Sequence, residues 1–533
     1  MMDRTDRRRL LESTLRRAEG GLARANQEMV AESLRNPGTP LREVLAHYAF
    51  LTQHAEARSD MRSVTILVVT GDSPDPLGSG SAMTQTHPGV QVVLSGWRSL
   101  ERAVARCTGE LTVVMDERQR LLPHAAAEID RAMRADLLYF DTISAAGAVQ
   151  ARPGWSPVLE WYSHYVGDAF AVRTAGLREV LSDLRHRTWQ GLFLQAVRTL
   201  GSPQHLPRIL GRSDTVAGTD PAAVRADLEA RGATVRMVAE DPIELRADSA
   251  PRISIIIPSR DNPDLLSRCL TSIERLTDYP DLEILVVDNG SVQPGTEELY
   301  GQWGDEITLL RDDGYFNFAR LCQGGAAAAN GDVLLFLNDD TEVLSADWLT
   351  RIVTALALPG VGVAGAQLLF PDGRIQHAGI MGAGDHGFEH RFFQEPTDPL
   401  LRFPHEALAV TGACFAVGAR LFAELDGFDR RDLPNAGGDV DFCLRARAQG
   451  LSTVLDPGIR LVHHESASRE RRFESHEQLV LRERWPRELY DDPFVNPRLS
   501  RRANPRLTAN LAEPIPPNDV LEGWWRAAAE RHG

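Results

Sequence analysis

The sequence predicts an α/β chain: two tandem open, mostly parallel sheets flanked by helices, preceded by a helical N-terminal segment. Short apolar runs begin to alternate with helical patterns near residue 63, and a stronger series of the same kind starts at Ile253. The two series also align with each other. Apolar strands separated by helical stretches mark a sheet covered on both faces.

Residues 1–60 read as helical, with Leu10, Leu11 and Leu15 at helical spacing among Arg7, Arg8, Arg9, Arg16 and Arg17. A basic amphipathic helix can make peripheral contact with an anionic membrane. Interleaved acids and a thin apolar face favour a solvated or domain-docking helix instead, and both readings stay open. Residues 61–212 form the first α/β domain, carried by SVTILVV, VQVVLSG, ELTVVMD and ADLLYFD. Residues 213–250 are a polar connector with one short helix. The second α/β domain takes 251–480, with strands expected at 253–257, 283–287, 307–310 and 333–337, and residues 481–533 form a C-terminal tail.

Composition narrows the function. The chain contains no lysine, so a P-loop, a kinase strand lysine and Schiff-base chemistry are all excluded. Codon preference for arginine accounts for this without a functional reason. With 43% hydrophobic and 25% charged residues the chain is neither disordered nor collagen-like. Its 58 arginines face 74 acids for a net charge of −16, which disfavours nucleic acid as partner. An anionic ligand must then be held by a local device. The five cysteines form no CxxC pair, so neither a zinc knuckle nor a disulfide framework is indicated and a reducing cytoplasm fits. No apolar run spans a bilayer and the N-terminus lacks a signal-peptide core, so the expectation is a protein neither secreted nor transmembrane.

The repeat carries a functional contrast. Setting GELTVVMDERQRLLP from Gly109 on GDVLLFLNDDTEVLS from Gly331 puts Asp116 on Asn338, Glu117 on Asp339 and Arg118 on Asp340. A guanidinium cannot ligate a metal, so the alignment predicts a first copy without a metal site.

Three polar features of the second half stand at strand ends, where open parallel sheets place their ligand crevice. Asp288 follows the run EILVV; it can accept from a base N–H, although capping the next turn would equally explain it. Asn338, Asp339 and Asp340 follow DVLLFL. Adjacent acids repel unless a cation or hydrogen bonds satisfy them, and such oxygens suit Mg²⁺ or Mn²⁺; a capped helix-start loop is the alternative. Asp439 and Asp441 open a helix after Gly437 and Gly438, with His463 at the end of a later strand. A helix N-terminus favours acids, and a histidine beside an oxygen cluster can complete a divalent site. The GxGxxG match at Gly382–Gly387 joins no first strand to a helix and is not a dinucleotide fingerprint.

In order, IIIPSRDNPDLLSRCLTSI, EILVVDNGS, FNFARLCQGGAAAANGDVLLFLNDDTEV, PDGRIQHAG, VTGACFAV, GFD, GDVDFCLR and LVHHESASR resemble the family 2 glycosyltransferases of bacterial surface-polysaccharide (O-antigen) synthesis, which have a GT-A fold. The resemblance covers about residues 251–500, and the first half looks like a degenerate front copy. It implies a nucleotide-diphosphate sugar as donor, a glycan or lipid-linked acceptor, and Mn²⁺ or Mg²⁺ as cofactor, at the cytoplasmic face of the membrane. It places Ser259, Asp261, Asp288, Asn317, Arg320 and Asp339 at the nucleotide sugar, and His377, Thr411, Gly412 and Asp441 at the acceptor or donor sugar. Asp340 and His463 would hold the metal with Asn338 in support, and Asp439 would be the general base of an inverting transfer. Where the family usually has Asn or Glu before that base, this chain has Gly438. Two alternatives stand beside this expectation: a sugar-1-phosphate nucleotidyltransferase, whose glycine-rich loop and lysine are missing after ISIIIP, and a noncatalytic sugar-binding scaffold.

Overall fold

The computed structural model describes residues 61–71, 75–87, 89–144, 148–213, 218–395, 401–464, 475–499 and 518–532. The N-terminal segment 1–60, and with it the membrane-contact reading, lies outside them. The described residues divide into two compact units. One takes those up to 152, 165–220 and the final helix; the other takes 153–164 and 221–499.

The first unit is built on eight strands: β1 (Val64–Thr70), β2 (Val90–Gly96), β3 (Leu111–Asp116), β4 (Gln119–Leu121), β5 (Leu137–Ser144), β6 (Val149–Gln150), β7 (Ala169–Arg173) and β8 (Gln204–Ser213). They run in the order β2-β1-β3-β7-β5-β8-β4, with β6 beside β5. Residues Val64, Ile66, Val68, Leu111, Val113 and Met115 alternate into one buried core, as period-2 strands require. The final helix, Asn518–His532, packs on helix Pro76–Met83. Gly80 permits this, because a Cβ there would meet the Trp525 carbonyl at 1.9 Å.

The second unit opens with helix Pro221–Ala230 and a hairpin, β9 (Val235–Glu240) and β10 (Ile243–Ala247). The hairpin falls in the stretch expected as a connector with one helix. Its strand VRMVAE alternates half-buried and exposed side chains and buries none of them fully, so its pattern is that of a surface strand.

The main sheet follows with β11 (Ile253–Ser259), β12 (Leu282–Asp288), β13 (Thr308–Arg311), β14 (Val333–Leu337), β15 (Thr341–Val343), β16 (Val361–Leu369) and β17 (Ile375–His377). A small pair, β18 (Ile380–Gly382) and β19 (Phe388–His390), precedes β20 (His405–Ala407), β21 (Cys414–Gly418) and β22 (Ser452–His463). The sheet order is β13-β12-β11-β14-β21-β16-β22-β15, with β17 on β16 and β20 on β22.

The two sheets share one topology. Replacing β12, β11, β14, β21, β16, β22 and β15 by β2, β1, β3, β7, β5, β8 and β4 turns one order into the other, and β13 is the addition. Strand directions match as well: β1 is parallel to β2 and β3 as β11 is to β12 and β14, whereas β7 and β21 run antiparallel to β3 and β14. The sheets are therefore mixed: β7 and β21 run against both of their neighbours, and beyond them β5 pairs with β8, and β16 with β22, in parallel again. Leu111 lies opposite Val64 and Val333 opposite Ile253, which is the register of the Gly109-on-Gly331 alignment.

Beneath the second crevice, Phe336, Phe415, Phe422, Phe428 and Phe442 form one aromatic cluster, with neighbouring ring centroids 5.0–6.2 Å apart. Each such pair adds about 0.5–1.5 kcal/mol beyond area burial. Phe442 lies on helix Gly438–Ala448, so the cluster fixes the floor under that helix.

Helix Pro157–Ser163 is anchored in the second unit by Glu406, which is 2% exposed. Its carboxylate accepts the Ser156 hydroxyl and the Val158 N–H. Burial pushes the Glu406 carboxyl up to about 7 against those hydrogen bonds. A raised folded-state value means that the fold binds a proton which the unfolded chain has already released. Stability should therefore fall as pH rises from about 4.5 to about 7, by on the order of 2–3 kcal/mol. Glu406→Gln should remove this slope, so its melting temperature should gain on the wild type between pH 5 and pH 8. Thermal unfolding across that range checks it; parallel curves would contradict it.

Candidate active site

Strands β11, β12 and β14 end on one side of the second sheet, and the expected residues gather there. Ser259, the last residue of β11, donates its hydroxyl to Asp339 at 2.7 Å. Burial pushes the Asp339 carboxyl up to about 6, with the Ser259 bond opposing it and the neighbouring Asp340 charge adding to it. Asp261, in the left-handed region at φ 49°, accepts the N–H groups of Val292 and Gln293 at 2.6 and 2.7 Å. Those bonds hold its carboxyl below the ordinary range. It thereby ties the loop after β11 to the loop after β12.

Asp288 is wholly buried and accepts from Tyr300 at 2.9 Å, Arg311 at 2.7 Å and the Ser291 N–H. Its carboxylate faces protein groups on these sides, so it braces the strand end. Its neighbour Asn289, not singled out in the sequence, donates to the carbonyls of Asp312 and Gly314 and joins the next loop. Asn317 caps helix Phe318–Ala328 through the Arg320 N–H and donates to the Arg430 carbonyl. Arg320 is ion-paired with Asp312 and lies over the Tyr315 ring, so its charge is already partly neutralised.

The acidic turn meets the distant histidine. β15 pairs antiparallel with β22 so that Thr341 lies opposite His463, which brings His463 Nε2 to 3.0 Å from Asp340 Oδ1. The Asn338 amide nitrogen lies 3.3 Å from the same Nε2. On the other side of the ring, His463 Nδ1 is 2.5 Å from Gln376 Oε1, and Gln376 Nε2 donates to the His463 carbonyl. The amide's two bonds fix its orientation, and its oxygen fixes the ring hydrogen on Nδ1. A neutral ring then turns the Nε2 lone pair toward a carboxylate. That pairing calls for a proton or a cation, and a carboxylate oxygen with an imidazole nitrogen suits Mn²⁺ or Mg²⁺. These residues fit a divalent ion that draws further ligands from substrate phosphates. Among the described residues no group of three or more His, Cys, Asp or Glu is gathered as a complete metal cage. Sequence spacing carried no signal for Gln376, although its neighbour His377 was singled out.

Asp439 stands in the first turn of helix Gly438–Ala448, where the helix dipole favours a carboxylate. Its Oδ2 accepts the Gly412 N–H at 2.7 Å and its Oδ1 the Val440 N–H at 2.8 Å. Gly412 is next to Ala413, whose carbonyl accepts the Asn338 N–H at 3.1 Å. The segment 411–413 thus links Asp439 to the Asp340–His463 pair. His377, completely buried, accepts the N–H groups of Gly379 and Thr411 on Nε2, and burial holds its ring well below the usual histidine value. It positions the Thr411 loop from beneath. Asp441 is 1% exposed and is engaged by Arg445, Arg484 and Trp485. It anchors the following helices to this domain. At Gly438 a Cβ would meet only ordinary contacts, from 3.5 Å outward, so the space for a larger residue is present.

The first sheet lacks the counterparts. Arg118 donates to both oxygens of Asp116 at 2.7 and 3.1 Å and fills the place aligned with Asp340. Gln119 pairs with Ser213 as Thr341 pairs with His463, so a serine stands where the histidine would be. Helix Trp189–Leu200, which precedes β8 as Gly438–Ala448 precedes β22, has no acid in its first turn. The last two absences emerge only from strand and helix correspondence.

The second unit thus places an acidic turn, a histidine and a helix-borne carboxylate at the strand ends of an open α/β sheet. Residues 254–408 match the model of glycosyl transferase family 2. The chain is 32% identical over 493 residues to the O-antigen biosynthesis protein RfbC of Myxococcus xanthus, covering 82% of this chain and 38% of that protein. It is 35% identical over 322 residues to protein y4gI of Sinorhizobium fredii, covering 56% of this chain and 33% of the other. The matches thus span little more than a third of these relatives' own length. The mannosyltransferase PcManGT of Pyrobaculum calidifontis, solved with GDP-Man and Mn²⁺, is 16% identical with a TM-score of 0.32, over 53% of this chain and 74% of that one. Likeness at that level carries no argument about the site.

Proposed function

We propose that the second unit is an inverting, metal-dependent glycosyltransferase centre that moves a sugar from a nucleoside-diphosphate sugar to a glycan or lipid-linked acceptor. The setting proposed is cell-surface polysaccharide synthesis, in the cytoplasm at the inner face of the membrane. Among the described residues no helix is long and apolar enough to cross a membrane. The observation that carries the reading is the Asp340–His463 pair joined, through residues 411–413, to a separate carboxylate, Asp439.

Asp340 and His463, with Asn338 beside them, would hold Mn²⁺ or Mg²⁺, which as a Lewis acid stabilises charge on a departing diphosphate. Ser259, Asp261 and Asp339 would border the nucleotide, while Asp288, Asn317 and Arg320 hold the loops that shape its pocket. Asp439 would take the acceptor hydroxyl proton. Each of its oxygens accepts one backbone N–H in the structure, which leaves a further lone pair on each for that proton. A single base and one in-line displacement invert the anomeric centre. His377 would place Thr411 and Gly412 along the sugar, and Asp441 would hold the base helix in place.

The family 2 match does not favour the nucleotidyltransferase alternative. The scaffold alternative rests on Gly438, yet the carboxylate beside it is present and held. The first unit would do structural, partner-docking or acceptor-guiding work. A thermal-shift panel of UDP-glucose, UDP-N-acetylglucosamine, dTDP-rhamnose and GDP-mannose tests the reading, because a ligand that binds only the folded state raises its stability. At least one donor should raise the melting temperature in Mn²⁺ and slowly release its nucleoside diphosphate. Silence across the panel in both readouts would count against it.

A further inference from the structure

Helix Ser475–Arg484, which follows the strand bearing His463, reaches the loop that delivers Asp439. Glu477, 4% exposed, accepts two consecutive backbone N–H groups on one oxygen, from Asn435 at 2.8 Å and Ala436 at 2.9 Å. One residue on, Gly437 takes φ 72°, and Leu481 of the same helix comes within 2.5 Å of where a Cβ would stand. Arg484 pairs with Asp429 at 2.8 Å, Asp432 at 2.6 Å and Asp441 at 3.3 Å. The opposite side of the loop is tied to helix Phe318–Ala328, through Ala319 N–H to the Pro434 carbonyl and Asn317 to the Arg430 carbonyl. The loop is therefore gripped from two sides, and Asp439 lies three residues beyond the Glu477 contact.

We propose that Glu477 is a positioning residue for Asp439: by fixing the backbone of Asn435 and Ala436 it sets the entry of helix Gly438–Ala448 and so the aim of the carboxylate. Two half-buried N–H groups that lose their buried acceptor seek another by shifting the loop. A shift of about 1 Å at a reacting group can cost roughly 10²-fold in rate. In the proposed function the donor's diphosphate end would be held from other strands, so the loss falls on turnover. This inference rests on the reading of Asp439 as the base.

The test uses the full chain and Mn²⁺-dependent hydrolysis of whichever panel donor gives the largest thermal shift. Glu477→Ala should lower kcat by about 10²-fold with donor KM little changed, and Glu477→Gln, which keeps an amide oxygen as acceptor, should recover most of it. If Glu477→Ala does not fold, Glu477→Asp, with its carboxylate one methylene short, should show the same split. Wild-type kcat in a folded Glu477→Ala or Glu477→Asp, or an equal loss in kcat and donor binding, would overturn the proposal. Asp439→Asn measured alongside separates the two ideas. If it is inactive while folded Glu477→Ala turns over normally, only the role of Glu477 falls; if it turns over normally, both fall.

Discussion

Asp439→Asn should abolish sugar transfer while Mn²⁺-dependent binding of the nucleotide sugar survives. The amide keeps the shape of the carboxylate, and its one oxygen can still accept from Gly412 or from Val440, which bond to different oxygens of the acid, so the retained nucleotide-sugar binding reports that the loop is kept. It cannot take a proton at neutral pH. Loss of general-base catalysis costs roughly 10²–10⁴-fold, and the effect should appear in kcat with little change in donor KM. Quantifying released nucleoside diphosphate for both proteins checks it, and near-normal turnover would remove Asp439 from the role. Gly438 is the departure from the family pattern nearest this residue, and a Cβ there would meet only ordinary contacts.

Asp340→Ala should have the complementary effect: the donor no longer gains affinity from Mn²⁺. Asp340 and His463 face each other at 3.0 Å, and Gln376 fixes the far side of the ring. Removing an outer partner of a ligating histidine already costs roughly 10–100-fold in metal affinity, and loss of a direct ligand should exceed that. The chain's net charge of −16 sharpens the expectation, since no lysine is available to take over the diphosphate. Arg320, the arginine that the resemblance places at the nucleotide sugar, is already paired with Asp312.

Much of this site was legible in the chain. The strands announce themselves as apolar runs, and the Asp339–Asp340 turn and Asp439 follow from acids at strand ends and helix starts. Arg118 marks the first copy as lacking the acid aligned with Asp340, because a residue type, not a distance, decides it. What was hidden depends on pairing across long stretches. Ser213 is seen to replace His463 only once β8 is laid beside β4. Asp441 was expected at the acceptor or donor sugar; its engagement by Arg484 and Trp485, which lie beyond a separate strand, carried no signal in the sequence. His377 has the chemistry of a ligand and the burial of a loop anchor. Gln376 and Glu477 carry no local signal at all, since a polar residue in a strand or a helix is usually solvated. The β9–β10 hairpin was missed for a related reason: its strands are short and polar enough to pass for a linker.

The central claim is that this two-copy chain has one functional centre, in the second copy. Calorimetric titration of the full chain with the panel donor in saturating Mn²⁺ tests it most directly. The account predicts one binding site per chain, lost in Asp340→Ala and kept in Asp439→Asn. Two sites per chain, or one that persists in Asp340→Ala, would contradict it.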